Sequence, residues 1–375
     1  MTSTIQERYN RQLILQGFGP AAQDALTKAK VLVIGAGGLG CPVLQYLVAA
    51  GLGTVGIVEN DHVSLSNLHR QVLYDTTNVG KLKIEVAAAK LKLINPEVNI
   101  ICYPVYLDKN NSLSIVNECD VIVDCTDNFA TRYMVNDACV ITKKPLVYGA
   151  VSGFEGQVAV FNVATGAGNR SGNYRDLFPE QPGSGEVLNC AEAGVLGVLP
   201  GIIGTLQATE VIKLITGKGD VLINQLLTFN ALKNKMTVFN YGVNKNAALL
   251  IPSTVEAFLQ MNYDEACGVE STSFNIDARQ LLQLVQENNA TIIDVREPHE
   301  LPIITQYNHL KIPLLQLQTR LPEFADQTII FICQSGSRSL QAAQVAAAYF
   351  GNEHLFYSLH GGVKQLISLP ESQSL

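Results

Sequence analysis

The sequence predicts an α/β protein: a Rossmann-like, doubly wound sheet followed by a smaller α/β unit. Three observations carry this. Short apolar runs alternate with helical segments from residue 31 to about 148. The first run, Val31-Leu32-Val33-Ile34, passes directly into a glycine loop, Gly35-Ala36-Gly37-Gly38-Leu39-Gly40. The same alternation restarts near residue 275, after a stretch of weak periodicity. Such alternation yields parallel strands with crossover helices packed on the sheet.

The elements follow in order. Residues 1–30 are helical and amphipathic and carry Arg8-Tyr9-Asn10-Arg11-Gln12. Strands are expected over 31–35, 54–59, 98–103, 120–124 and 145–148, with helices over 39–51, 80–95, 109–117 and 128–142. After Gly149 the pattern changes: a strand runs to about residue 163, and residues 165–185, rich in Gly, Ser and Asn, read as a mobile loop. A long helix over 195–216 and strands over 221–229 and 235–241 complete a first domain of residues 1–245. Residues 246–273 read as a linker, and 274–375 as a second domain with strands over 291–295, 328–332 and 354–358. Helices over 277–287 and 337–350 and the turn His360-Gly361-Gly362 belong to it.

Bulk properties narrow the function. A chain of 375 residues can bury two cores, and 47% hydrophobic against 16% charged residues suits a compact soluble protein. A net charge of −7 argues against nucleic acid as a direct partner. The apolar stretch over 195–215 is interrupted by Pro200, Glu210 and Lys213, so no membrane span is expected. The polar start lacks the apolar core of a signal peptide, which points to the cytoplasm. The eight cysteines form no tight pair and read as reduced thiols. Only Cys190 and Cys333 sit in neighbourhoods that suggest chemistry.

The glycine loop after the first strand fits a nucleotide phosphate, because its backbone N–H groups and the following helix N-terminus favour an anion. Gly35, Gly37, Gly38 and Gly40 are the loop candidates, and Glu59, ending the second strand, suits a ribose hydroxyl. A dehydrogenase would share these features. Asn67, Arg70 and Lys83 are different: an amide and two cations beyond the second strand can grip the β- and γ-phosphates of a triphosphate. Asp127, within Asp124-Cys125-Thr126-Asp127-Asn128, follows a strand end where ligands bind, and is the candidate Mg²⁺ ligand.

Taken with Ser66-Asn67-Leu68-His69-Arg70-Gln71 and Cys190-Ala191-Glu192-Ala193-Gly194-Val195, these motifs resemble the MoeB/ThiF family over roughly residues 5–245. These are bacterial relatives of ubiquitin-activating enzymes. The resemblance implies that Gly38, Glu59, Asn67, Arg70, Lys83, Asp127 and Asn128 bind ATP and Mg²⁺. It implies a homodimer in which Arg11 reaches the partner's site. The implied reaction is adenylation of the C-terminal glycine of a ubiquitin-like sulfur carrier ending in Gly-Gly. Cys190 would then attack the acyl-adenylate or take part in persulfide transfer, and the product would feed molybdopterin, thiamin or tRNA thiolation pathways.

Cys333-Gln334-Ser335-Gly336-Ser337-Arg338 lies between an apolar strand and a helix, where backbone N–H groups, the helix N-terminus and Arg338 favour a thiolate. With Asp294-Val295-Arg296-Glu297 and Leu359-His360-Gly361-Gly362, it resembles rhodanese domains over about 275–370. The resemblance implies that Cys333 carries persulfide sulfur from a persulfide donor. The short loop makes a cradle sized for sulfane sulfur rather than a phosphoryl group. Competing classes are a dinucleotide-dependent oxidoreductase, a non-catalytic scaffold for a ubiquitin-like partner, and activation of a tRNA-base carboxylate. Arg70 and Asp127 argue against the first, Arg70, Lys83 and Asp127 against the second, and the acidic charge and rhodanese-like unit against the third.

Relatives of the adenylation domain often hold a structural zinc through two Cys-x-x-Cys pairs. Here the four positions are Asn173, Asp176, Asp264 and Cys267. One thiol of four is a poor tetrahedral donor set, so no structural zinc is expected. Direct hydrogen bonding in place of the metal, or a freer loop, are the two expectations for residues 164–189.

Overall fold

The computed structural model describes residues 3–181, 194–244, 246–263, 274–288, 290–305, 307–324, 328–334, 336–351 and 355–367. The chain divides into two compact units, the first holding 1–181 and 189–266 and the second holding 182–188 and 267–375.

The first unit is built on an eight-stranded sheet. Its strands are β1 (Lys30–Ile34), β2 (Thr54–Val58), β3 (Asn99–Tyr103), β4 (Val121–Asp124), β5 (Leu146–Ser152) and β6 (Glu155–Phe161). A separate hairpin, β7 (Ala164–Gly166) and β8 (Asn169–Arg170), follows, and β9 (Gln225–Asn230) and β10 (Lys235–Asn240) complete the sheet. The order is β10-β9-β6-β5-β4-β1-β2-β3. Strands β1 to β5 run parallel; β6, β9 and β10 add antiparallel neighbours.

Side-chain alternation along β1 shows why the sheet is covered twice. Val31 and Val33 join one hydrophobic cluster, which includes helix Gly40–Ala49 and helix Val198–Thr216. Leu32 and Ile34 join a second cluster, which includes helix Phe129–Ile141. Successive strand residues point to opposite faces, so a continuous apolar strand serves two cores. By length and composition the helix Val198–Thr216 could cross a membrane. In the fold it packs on β5 and β6 and buries Gln207 and Glu210. Gln207 Nε2 donates to Asp124 O at 2.8 Å, and Glu210 accepts from Leu222 N at 3.0 Å.

Two sequence expectations change. Residues 165–181, within the stretch 165–185 read as a mobile loop, are anchored by hydrogen bonds, the first of the two expectations for 164–189. Arg170 Nε donates to Asn162 O at 2.9 Å, and Arg175 forks onto buried Asp137 at 2.8 and 2.7 Å. Asn173 and Asp176 form a capping box around the short helix Tyr174–Leu177. Asp176 also accepts from Asn244 N at 2.6 Å, so both residues of this pair spend their donors and acceptors on protein groups. The expected linker, 246–273, is also part of the first unit as far as it is described. Helix Val255–Gln260 buries Phe258 completely, and Tyr263 donates to Asp137 Oδ2 at 3.0 Å. Asp264 and Cys267 lie outside the described residues.

The second unit has a five-stranded parallel sheet. Its strands are β11 (Asn275–Ile276), β12 (Thr291–Asp294), β13 (Leu310–Lys311), β14 (Ile329–Ile332) and β15 (Phe356–Leu359), in the order β11-β15-β14-β12-β13. Ile329 and Phe331 pack into one cluster and Ile330 and Ile332 into the other, repeating the two-sided burial of the first sheet.

Candidate active site

In the first unit β1 pairs with β2 on one side and β4 on the other, and the chain crosses in opposite directions from it. Open α/β sheets bind ligands at such a switch point, beyond the strand carboxyl ends. A cavity of about 270 Å³ lies there. Its wall includes Gly35, Gly37, Gly38, Glu59, Arg70, Lys83, Asp127 and Asn128. The glycine loop needs its glycines: Gly35 has φ +93°, and a Cβ on Gly40 would fall 2.0 Å from Gly35 O. Gly40 shapes the turn without lining the cavity.

Each side chain reaches the cavity through a local hold. Glu59 accepts from Ala36 N at 3.0 Å and from Asp61 N at 2.9 Å, which ties the second strand's end to the glycine loop. Lys83 opens helix Lys83–Ile94 and is buried, and its Nζ meets Asp61 Oδ2 at 3.0 Å. Asp61 itself is exposed, so the buried ammonium has a counter-ion that an incoming phosphate can replace. Lys83→Met is therefore expected to weaken ATP binding about 10- to 100-fold while leaving the fold intact, read by titration calorimetry and circular dichroism.

Asp127 precedes Asn128, whose Oδ1 accepts from Thr131 N at 2.8 Å and caps helix Phe129–Ile141. Behind them, Arg132 is buried under the rings of Phe129 and Tyr148, donates to Thr126 O at 3.2 Å, and lies 3.6 Å from buried Asp124. Burial pushes the Asp124 carboxyl up, and the Arg132 guanidinium opposes that. This buried layer fixes the backbone that presents Asp127.

Two candidates stand elsewhere. Asn67 caps its own turn, its Oδ1 accepting from Ser64 N at 3.3 Å, and does not line the cavity. Arg11 is exposed on helix Ser3–Leu13, also outside the cavity wall. Cys190 lies outside the described residues. Sequence reasoning missed Asp61, Gln71, Tyr106, Leu107 and Pro200 on the wall. Asp61, two residues after Glu59, was the most findable of these.

In the second unit Cys333 follows β14 and is fully buried. Its Sγ accepts from Gly336 N at 3.1 Å and lies 3.5 Å from Ser339 Oγ, at the start of helix Ser337–Phe350. One backbone N–H and the start of that helix thus face the sulfur. Arg338 departs from expectation. Its guanidinium forks onto Glu300 at 2.6 and 2.7 Å, and that hydrogen bonding holds the Glu300 carboxyl below its usual range. Arg296 forks onto Asp294 and donates to Gln334 Oε1 at 3.2 Å, bracing the loop from its other side.

The Glu300 carboxyl titrates lower in the folded chain than in the unfolded one, so its pairing stabilises above the ordinary value of 4.5 and is lost as pH falls through the folded value. Acid unfolding of the full chain, followed by hydrogen exchange in residues 274–367, should shift to higher pH in Glu300→Gln.

Comparison with known proteins places this geometry. A ThiF family model matches residues 9–249, and a rhodanese-like domain model matches residues 277–368. The chain belongs to the ThiF family. A sulfur carrier protein adenylyltransferase of Thermus thermophilus is 53% identical over 263 residues, covering 70% of this ThiF-family chain and 97% of the relative. The adenylyltransferase and sulfurtransferase MOCS3 of Xenopus laevis is 36% identical over 391 residues, 95% of this chain and 85% of its own. A crystal structure of E. coli MccB with ATP superposes with a TM-score of 0.55 at 26% identity, covering 63% of this chain and 72% of that one.

Proposed function

We propose that this chain is an adenylyltransferase and sulfurtransferase acting on a ubiquitin-like sulfur carrier. One observation carries the reading: Arg70, Lys83 and Asp127 share the wall of the glycine-loop cavity in a chain that also holds Cys333 in an N–H-lined loop. The carrier's C-terminal glycine carboxylate attacks the α-phosphorus of ATP, the bond to the β-phosphate breaks, and pyrophosphate leaves. Arg70 and Lys83 balance the charge that develops on the leaving group, and the glycine-loop N–H groups orient the phosphates. Asp127, a carboxylate facing the phosphate cavity, fits Mg²⁺, which takes few protein oxygens and completes its shell with phosphate and water. Bound there, the ion would neutralise phosphate charge.

Sulfur delivery uses the second unit. A persulfide donor hands its outer sulfur to Cys333. That sulfur attacks the acyl-adenylate carbonyl and AMP departs, leaving carrier and Cys333 joined through a disulfide. Attack by the Cys190 thiolate on the Cys333 sulfur releases the thiocarboxylate and leaves a Cys190–Cys333 disulfide, which a thiol reductant resets. The enzyme works as a cytoplasmic homodimer, with Arg11 of each subunit serving the other's phosphates. Full-length protein with Gly-Gly-ended carriers, Mg·ATP and thiosulfate should yield a carrier whose intact mass reports exchange of one oxygen for sulfur. No pyrophosphate with any carrier would refute the adenylation half.

A further inference from the structure

Arg70 reaches the cavity from a short turn, and its aim depends on a neighbour. Arg70 Nη1 donates to Ser66 O at 3.0 Å and meets His69 Nε2 at 2.8 Å. A guanidinium nitrogen only donates, so this contact makes His69 Nε2 the acceptor, on a neutral ring protonated at Nδ1. Gly197, at the start of helix Val198–Thr216, passes close to His69, which is itself exposed. A Cβ on Gly197 would fall 2.4 Å from His69 O and 3.0 Å from Nδ1. A side chain at position 197 would therefore crowd His69, while its Nε2 meets the guanidinium.

We propose that His69 is a positioning residue for ATP, holding Arg70 toward the phosphates while neutral and releasing it when protonated. The proposal rests on the nucleotide reading of the cavity. A proton on Nε2 removes the accepting lone pair and puts two cations in contact. Desolvation, and then the Arg70 charge, both hold His69 below its ordinary value of 6.5. Among the described residues Arg70 is the one charged group acting on it, and the helix start contributes only the Gly197 backbone. The neutral, Arg70-holding form therefore prevails at pH 7 and is lost as pH falls below 6.5.

The test is the affinity of the full-length protein for Mg·ATP, with AMP as the control ligand, from about pH 8 to 5.5. Wild type, His69→Gln and His69→Ala are compared. Glutamine offers a carbonyl acceptor that does not titrate. Wild type should lose roughly three- to tenfold more ATP affinity on acidification than His69→Gln, the size of one exposed charge-assisted hydrogen bond. His69→Ala should bind ATP more weakly than His69→Gln at pH 8, and AMP should separate none of the three. Protonation of ATP itself is common to all and cancels. Parallel curves for wild type and His69→Gln would overturn the proposal. So would wild-type affinity that rises toward acid, which would place protonated His69 on the phosphate instead. If wild type binds no Mg·ATP at pH 8, the nucleotide reading itself fails.

Discussion

Asp127→Ala is expected to abolish carrier adenylation, lowering pyrophosphate release by at least about 10³-fold. Cys333→Ala should leave pyrophosphate release near the wild-type rate and stop thiocarboxylate formation. The contrast follows from geometry within each unit. Asp127 lines the glycine-loop cavity, on a backbone braced by Arg132 at Thr126 O and by Gln207 at Asp124 O. Cys333 sits at the end of β14 in the other unit, where Gly336 N donates to its sulfur. Malachite-green detection of hydrolysed pyrophosphate and intact mass of the carrier separate the two steps. Loss of pyrophosphate release in Cys333→Ala would contradict the division of labour. Normal release in Asp127→Ala would remove the candidate Mg²⁺ ligand.

Asp137→Ala should cost about 3–5 kcal/mol of stability, the range for stripping one partner from a buried ion pair. Asp137 is fully buried on helix Phe129–Ile141. Arg175 forks onto it, also stacking over the Tyr133 ring at 4.8 Å, and Tyr263 donates to the same carboxylate. Alanine leaves a buried guanidinium with its main partner gone. The three residues join helix Phe129–Ile141 to residues 171–178 and to residues 255–263. Urea unfolding should show the loss, with proteolysis opening first near residues 171–181. Tyr263→Phe removes one hydrogen bond and should cost only about 1 kcal/mol. Equal effects of the two substitutions would show that the carboxylate–guanidinium pair is not the dominant tie.

Much of the fold was legible because parallel strands buried on both faces read as continuous apolar runs. Val31-Leu32-Val33-Ile34, 54–58 and 121–124 all appear in the sequence as they do in the sheet. The glycine loop was legible because its chemistry is local. Arg70, Lys83 and Asp127 were legible because each lies just past a strand end or at a helix start. Asn67 and Asn128 could be named but their use could not. Each caps a turn or helix with its side-chain oxygen, and an amide near a phosphate site looks the same in either role. For residues 164–181 hydrogen bonding and a freer loop were both open, because Gly, Ser and Asn suggest mobility when their distant partners are unseen.

The sequence alone determined the longer apolar strands of both sheets, the glycine loop after the first of them, and the cysteine that follows β14. Those depend on periodicities and contacts a few residues apart. Tertiary structure decided which charges remain available to a ligand. Arg338 is taken by Glu300 across 38 residues, Arg175 by Asp137 across 38, and Tyr263 by the same Asp137 across 126. Such pairings come from how helices dock on a sheet, and burial then makes them costly to break. No local pattern in the chain encodes that docking.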